Sequence, residues 1–129
     1  MKEKNWRTYV LLDEESKNIL EKMASSVNKS DWELHGEHFT VVYGRRYEEL
    51  GLNVPLGSLI SISITHIGGN EFCYAVKAHG FYSHHPVSHI TLLVNKLNGG
   101  KPVMSNTITE WKELNCPVFL TGTLIEYEK

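Results

Sequence analysis

Hydrophobic and polar residues alternate in several short segments of the chain, and this pattern predicts β-strands. The clearest case is residues 57–67 (GSLISISITHI), where isoleucines alternate with serine and threonine. Trp6–Leu12 (WRTYVLL) and residues 117–128 (PVFLTGTLIEYE) are rich in residues that favour strands. Residues 71–82 (EFCYAVKAHGFY) are predicted to pair with residues 57–67 through a hairpin turn at Gly68-Gly69-Asn70, because such turns require residues that tolerate positive φ.

Two other segments have helical spacing. Asp13 is a predicted N-cap, and the helix that follows is expected to end within residues 25–31. Its apolar stripe consists of Ile19, Leu20, Met23 and Val27. A second helix is predicted over residues 105–114 (SNTITEWKEL), in which Ile108 and Trp111 are three residues apart. With about six strands and two main helices, the prediction is one α+β domain spanning residues 1–129.

Two of the strand-like segments resemble each other. Residues 38–44 (HFTVVYG) and 88–95 (SHITLLVN) share a histidine, an apolar residue, a threonine and two further apolar residues, which suggests two equivalent half-domains. In a regular strand alternate side chains share a face, so His38 and Thr40 point the same way, as do His89 and Thr91. The same alternation places Val42 and Leu93 with them, and Phe39, Val41, Tyr43, Ile90, Leu92 and Val94 opposite.

Each of these segments therefore displays one imidazole and one hydroxyl, roughly 6–7 Å apart along the strand. Two histidines supply what cleavage of a ribose-linked phosphodiester needs without a metal: one removes a proton from the attacking oxygen and the other protonates the leaving oxygen. Threonine hydroxyls can donate hydrogen bonds to the phosphate oxygens as these gain charge. A single H-x-T in a strand is weak support, since threonine favours strands, but two copies with the same parity favour catalysis.

The two H-x-T-x segments, His38-Phe39-Thr40-Val41 and His89-Ile90-Thr91-Leu92, resemble the motifs of the 2H phosphoesterases. The resemblance covers most of the chain. It implies a pseudo-symmetric, two-lobed α+β fold in which antiparallel sheets line a central cleft and helices lie outside. Similar members include RNA 2′,3′-cyclic phosphodiesterases, end-healing domains of RNA repair enzymes, and phage enzymes that destroy cyclic oligonucleotide signals. The catalytic set would then be His38, Thr40, His89 and Thr91, with no cofactor.

Composition and charge narrow the class of partner. Hydrophobic residues make up 41% and charged residues 22%, as in ordinary globular proteins. A net charge of -2 argues against binding long double-stranded nucleic acid and leaves a nucleotide, or a short or cyclic oligonucleotide, as the expected substrate. The apolar run near the N-terminus is too short for a signal peptide or a membrane span, so no membrane partner and a cytoplasmic location are expected. The sequence predicts no oligomeric state.

Three further residues are candidates for contact with the substrate. Tyr9 lies on the strand expected to border the first motif and could stack a base, while Arg45 and Lys101 follow the two motifs and could contact phosphate. The alternative for Arg45 is that it and Arg46 form an ordinary solvated pair. The alternative for Lys101 is that it lies in a plain turn. Trp6, Trp32 and Trp111 are further possible base platforms, but each is more often a packing residue.

The remaining histidines and the cysteines lack a metal-binding pattern. His66, His79, His84 and His85 are predicted to be strand or surface histidines, although a position of His84 and His85 at the rim of the cleft stays open. Cys73 and Cys116 are expected to be buried free thiols.

The leading hypothesis is therefore a metal-independent phosphodiesterase. It would open either a 2′,3′-cyclic phosphate or a 3′–5′ linkage in a short RNA or a cyclic oligonucleotide. Degradation of a cyclic di- or trinucleotide messenger would suit a small viral antagonist of host defence. A non-catalytic module that binds nucleotides or RNA ends is the alternative. A purely structural or interaction domain would leave the repeated motif as a coincidence.

Overall fold

The computed structural model describes residues 5–27, 29 and 31–128, and in them the chain is α+β, as predicted. The strands are β1 (Trp6–Leu12), β2 (Glu33–Leu34), β3 (His38–Tyr43), β4 (Leu59–Gly69), β5 (Cys73–His79), β6 (His89–Val94) and β7 (Trp111–Glu128). One α-helix, α1 (Glu14–Ser26), follows β1. Short 3-10 helices cover Tyr47–Leu50, Lys96–Asn98 and Pro102–Thr107. Residues 1–4 of the N-terminal segment discussed above, and residues 28 and 30 beyond the helix, lie outside the described residues.

All seven strands form one antiparallel sheet in the order β2-β6-β5-β4-β7-β1-β3. The arrangement is nearly symmetric about the central pair β4 and β7, because β5 and then β6 follow on one side and β1 and then β3 follow on the other. The sheet curls, and β3 approaches β6 although several strands separate them in the sheet. The two strands that carry the H-x-T motifs therefore face each other across the concave side.

The predicted first helix is confirmed, including its cap. The Asp13 side chain accepts a hydrogen bond from the Ser16 backbone N–H at 2.8 Å and another from the Thr121 hydroxyl on β7. These bonds satisfy a free N–H of the first turn and tie the start of the helix to the sheet. Leu20 and Ala24 are buried, so the apolar stripe packs against the sheet as expected.

The predicted hairpin turn is wrong by two residues. Gly68 and Gly69 belong to β4, and the turn lies at residues 70–72, where the Asn70 side chain accepts hydrogen bonds from two backbone N–H groups. The two glycines serve close packing instead. A Cβ at Gly69 would lie 2.5 Å from the Tyr74 ring, and one at Gly68 would lie 2.5 Å from the Glu110 carbonyl oxygen.

The predicted helix over residues 105–114 is also wrong. Its first half is the end of a 3-10 helix, and Trp111 begins β7 by pairing with Gly68. Ile108 and Trp111 do pack together, in a small cluster with Cys73, Ala75 and Val94, but they do so from a bend and a strand. Their spacing of three residues therefore reflects a shared cluster and not a helical face.

Only one of the two cysteines is buried. Both thiols are free, and Cys73 is enclosed, but Cys116 is exposed. Opposite Thr65 of β4, residues 114–117 of β7 form a bulge that includes Pro117, which cannot donate to a strand ladder. Cys116 lies in this bulge, which explains why its side chain avoids the core. Within the described residues, no helix is both long and apolar enough to cross a membrane.

Candidate active site

The two H-x-T motifs carry a β-bulge at the same position. On β3, Thr40 pairs with Tyr9 and Val42 pairs with Thr8, so Val41 is left without a partner residue. On β6, Thr91 pairs with Ala75 and Leu93 pairs with Tyr74, so Leu92 is the extra residue. In both motifs the bulge directly follows the threonine. The two segments therefore resemble each other in strand register as well as in sequence.

The bulges change which side chains share a face, because an extra residue reverses the alternation beyond it. Val42 is buried in the core, and Tyr43 lines the concave side together with His38 and Thr40. Leu93 likewise packs into the core and not beside His89. Val94 clusters with Cys73 and Ala75, which share the face of Thr91. The predicted faces of Val42, Tyr43, Leu93 and Val94 are therefore wrong, whereas those of the histidines and threonines are consistent with the shared cavity.

All four predicted catalytic residues line one cavity of about 620 Å³. β3 contributes His38 and Thr40, and β6, which four strands separate from β3 in the sheet, contributes His89 and Thr91. The cavity is also lined by residues that the sequence did not single out as site residues, namely Arg7, His35, Glu37, Tyr43, His84 and His85. Curling of the sheet thus unites two segments that are about fifty residues apart.

His38 lies against an aromatic neighbour on β1. The ring centroids of His38 and Tyr9 are 4.0 Å apart and the rings are nearly parallel, at 24°. Burial lowers the pKa of His38, and the nearby Glu37 carboxylate partly opposes this by favouring the protonated ring. Tyr9 is only 5% exposed, and burial raises the pKa of its phenol. Tyr9 therefore lines the cavity as predicted, but one face of its ring supports His38.

His89 is held by its own backbone neighbourhood. Its Nδ1 lies 2.7 Å from the carbonyl oxygen of Val87, which can only accept, so Nδ1 carries a proton and Nε2 is the atom available to a ligand. Burial lowers the pKa of His89, while the Val87 carbonyl acts in the opposite direction. The tautomer of this histidine is thus fixed by the fold.

The two threonines have different surroundings. The Thr91 hydroxyl lies 2.8 Å from that of Ser105, which is buried in the 3-10 helix before β7. The Thr91 hydroxyl also donates to the Pro102 carbonyl at 3.4 Å, so when Ser105 donates in the first pair a phosphate oxygen would replace Pro102 as the acceptor of the Thr91 proton. Thr40 lines the cavity, and its carbonyl accepts a hydrogen bond from the Ser83 hydroxyl at 2.8 Å.

Residues 80–88, between β5 and β6, link the two motifs. In addition to the Ser83 bond, the His84 backbone N–H donates to the carbonyl of Val41 at 2.8 Å, so the loop is tied to β3 at its bulge. The centroid of the His85 ring lies 4.8 Å from that of the His89 ring on β6. Burial, with His89 and His84 nearby, lowers the pKa of His85 to about 4, so its ring is neutral near pH 7. The rim position left open for His84 and His85 is therefore a place in the cavity lining.

Other predicted residues lie elsewhere. Arg45 is exposed, 3.8 Å from the Glu49 carboxylate, and does not line the cavity. The Lys101 side chain is also exposed and outside the lining, although the next two residues, Pro102 and Val103, contribute to it. His66 and His79 lie on β4 and β5, where both contact the Thr65 hydroxyl. Contacts of Arg45 and Lys101 with phosphate stay predictions that the cavity geometry does not support.

The three tryptophans also lie outside the cavity lining. Trp6 stacks with the Arg46 guanidinium, Trp32 contacts Tyr74, and Trp111 belongs to the small cluster described above. They are packing residues, which was the more common alternative. Within the described ranges, no group of three or more His, Cys, Asp or Glu side chains has an arrangement suited to a metal ion.

Comparisons of the chain with models of protein families, with curated proteins and with solved structures gave no match.

Proposed function

We propose that this chain is a metal-independent phosphodiesterase of the 2H type that acts on a nucleotide phosphodiester. The observation that carries the proposal is that His38, Thr40, His89 and Thr91 line one cavity, although their two strands are separated by four others in the sheet. Two imidazoles and two hydroxyls around one cavity form the set needed to transfer protons to and from a phosphodiester and to stabilise its oxygens. A cytoplasmic location is part of the proposal, because such nucleotides are intracellular compounds.

The proposal includes the two-lobed, pseudo-symmetric arrangement of this family. The nearly symmetric strand arrangement supports it, because β3 and β6 occupy corresponding positions on either side of the central pair β4 and β7. The bulge after each motif threonine supports it independently, since register is specified strand by strand. In this description each lobe contributes one histidine and one threonine.

We assign His38 as the general base and His89 as the general acid. The Val87 carbonyl stabilises a proton on His89, whereas in the described part of the chain the His38 ring has no hydrogen-bond partner. His38, whose pKa is lowered by burial, therefore begins neutral and removes a proton from a 2′-hydroxyl or a water. His89 donates its Nε2 proton to the leaving oxygen. The hydroxyls of Thr40 and Thr91 donate hydrogen bonds to the non-bridging oxygens as negative charge accumulates there.

The decisive experiment is a substrate panel with excess EDTA. Purified protein is incubated with 2′,3′-cyclic mononucleotides, cyclic dinucleotides, cyclic trinucleotides and a short RNA ending in a 2′,3′-cyclic phosphate, and products are separated by ion-exchange chromatography. We expect turnover of at least one class, with a rate unaffected by the chelator. The proposal is wrong if turnover is lost in EDTA and restored by zinc or magnesium.

A binding module is the other outcome of the same panel. In that case a nucleotide would bind without any turnover, and mutation of either histidine would change only its affinity. The matched control for both readings is the double variant His38→Ala/His89→Ala, because contaminating nucleases would remain active in that preparation.

A further inference from the structure

The cavity contains a cation that belongs to neither H-x-T motif. Arg7 of β1 is the only arginine or lysine among the described residues that line it. Strand pairing sets Arg7 opposite Tyr43, and the guanidinium carbon lies 4.4 Å from the centroid of the Tyr43 ring. Stacking on an aromatic ring holds a guanidinium in a fixed plane. Arg7 is therefore oriented before any ligand binds.

In the described residues, Arg7 lacks the carboxylate partner that such an arginine usually has. Across residues 5–27, 29 and 31–128, no carboxylate lies within ion-pair distance of it. Burial disfavours its charge, but its protein partner, the neutral Tyr9 phenol, raises the pKa of Arg7. Its Nε is buried without a hydrogen-bond partner, so within this part of the chain the guanidinium charge is not balanced by an anion. Arg46 provides the contrast, because it also stacks on a ring, that of Trp6, but it forms an ion pair with Glu126 at 3.1 Å. A buried donor without a partner costs free energy, which a ligand acceptor would recover.

The position of Arg7 defines where that acceptor would lie. Arg7 and Tyr9 share a face of β1 two residues apart, roughly 6–7 Å along the strand. Because Tyr9 stacks on His38, the guanidinium lies beside the two-histidine centre and not on it. This offset corresponds to about one nucleotide step along a phosphate backbone.

We propose that Arg7, supported by Tyr43, is a subsite for a second phosphate of the substrate, adjacent to the phosphate that is cleaved. The inference rests on the proposed function. It narrows the substrate class to compounds with at least two phosphates, namely short linear or cyclic oligonucleotides. A mononucleoside 2′,3′-cyclic phosphate, which has a single phosphate, would leave Arg7 without an acceptor and bind more weakly.

The test uses two ligands that differ by one charge. One is a cyclic dinucleotide, and the other is its analogue in which one of the two phosphodiesters is a neutral methylphosphonate. Turnover of both is measured for the wild-type protein, Arg7→Gln, Arg7→Lys and Lys112→Gln. Lys112→Gln is the matched control, because it removes an exposed positive charge outside the cavity. A linear dinucleotide with a terminal 2′,3′-cyclic phosphate, compared with the cyclic mononucleotide, tests whether a linear oligonucleotide also uses the subsite.

We expect Arg7→Gln to raise KM for the doubly charged ligand by about 10–100-fold, the usual value of a charge-assisted hydrogen bond, and to change that of the neutral analogue much less. Arg7→Lys should lie between, because lysine keeps the charge but loses the planar donor pair. Lys112→Gln should behave as wild type. Equal effects of Arg7→Gln on both ligands, or equal KM values of wild type for both, would overturn the inference.

A binding experiment separates this inference from the proposed function. Calorimetric titration of the His38→Ala/His89→Ala variant, in which the proposed base and acid are both absent, with the cyclic dinucleotide reports the subsite without turnover. Arg7-dependent binding without turnover of any ribose ligand would refute the phosphodiesterase and leave the subsite standing. Turnover that is indifferent to Arg7 and to the second charge would refute the subsite alone. Absence of binding to folded wild-type protein, with folding verified by circular dichroism, would also refute the subsite.

Discussion

The imidazole rings of His85 and His89 lie 4.8 Å apart, centroid to centroid, at an angle of 31°. The contact joins a residue of the loop 80–88 to a motif histidine, and it excludes solvent from one side of His89. Two adjacent imidazoles that are both partly removed from water disfavour protonation of each other. The site therefore disfavours the protonated forms of these two histidines, at the cost of sensitivity to acid.

The lowered pKa values of His38, His85 and His89 predict acid destabilisation of the fold. Between pH 6.5 and about 4, the value for His85, the unfolded chain binds more protons than the folded chain, so stability must fall as pH falls through this window. Thermal unfolding at pH 7.5 and pH 4.5 measures the effect. His85→Phe keeps a ring beside His89 but cannot titrate, so its Tm should fall less than that of wild type over the same interval. An equal or larger fall would contradict the prediction.

Removal of either motif histidine should abolish most of the turnover. His38→Ala and His89→Ala should each lower kcat by about 10²–10⁴-fold, the usual contribution of a positioned proton-transfer group. The double variant should lose far less than the product of the two single effects, because the groups act as a unit. His79→Ala, an exposed histidine outside the cavity, is the control. Single variants that fold and retain full turnover would exclude the two-histidine mechanism.

The threonines should affect kcat more than KM. Thr91→Ala removes a hydroxyl whose bonds strengthen with developing charge, so kcat should fall by about 10–100-fold while Thr91→Ser restores most of it. Ser105→Ala, which removes the neighbour that orients Thr91, should lower kcat by a smaller factor. A change confined to KM in Thr91→Ala would indicate ground-state binding instead.

The pH profile of kcat/KM should be bell-shaped, and Glu37 should identify which limb belongs to His38. Burial lowers the pKa of His38, and the Glu37 charge opposes that effect. Glu37→Gln should therefore lower the pKa of His38 further. If His38 is the base, the acid limb moves to lower pH and the alkaline limb stays in place. Movement of the alkaline limb alone would reverse the assignment of acid and base. Glu49→Gln, outside the cavity, is the control.

Local patterns predicted most of the strands and the first helix, because these depend on alternation and on residue type. They also singled out the two histidines and two threonines that line the cavity, whose catalytic role stays a prediction. The Asp13 cap and the alternation of Ile60, Ile62 and Ile64 are properties of neighbouring residues along the chain. The role of Gly68 and Gly69 was not visible, because what they accommodate, Trp111 and Tyr74, comes from partner strands. Propensity alone could not reveal that residues 111–114 extend a central strand.

The rest of the site depended on features without a local signal. A bulge after Thr40 brings Tyr43 into the cavity, and an unbroken apolar run such as residues 41–43 does not indicate where register slips. Arg7 gained significance only because it lines the cavity without a carboxylate partner in the described residues, which is a property of the folded chain. His84 and His85 had one weak signal, their position shortly before the second motif. The sequence therefore identified the proposed chemistry and missed the residues that would select the substrate.

The hydrogen bonds from Ser83 and His84 to the backbone of β3 also bear on which substrates can enter. The loop 80–88 leads into β6 and is hydrogen-bonded to β3, so it joins the two motif strands directly. We expect a longer loop to let the two strands separate and a shorter one to draw them together. We therefore expect tolerance for substrate size to follow the number of residues between β5 and β6, while the chemistry stays with the strands.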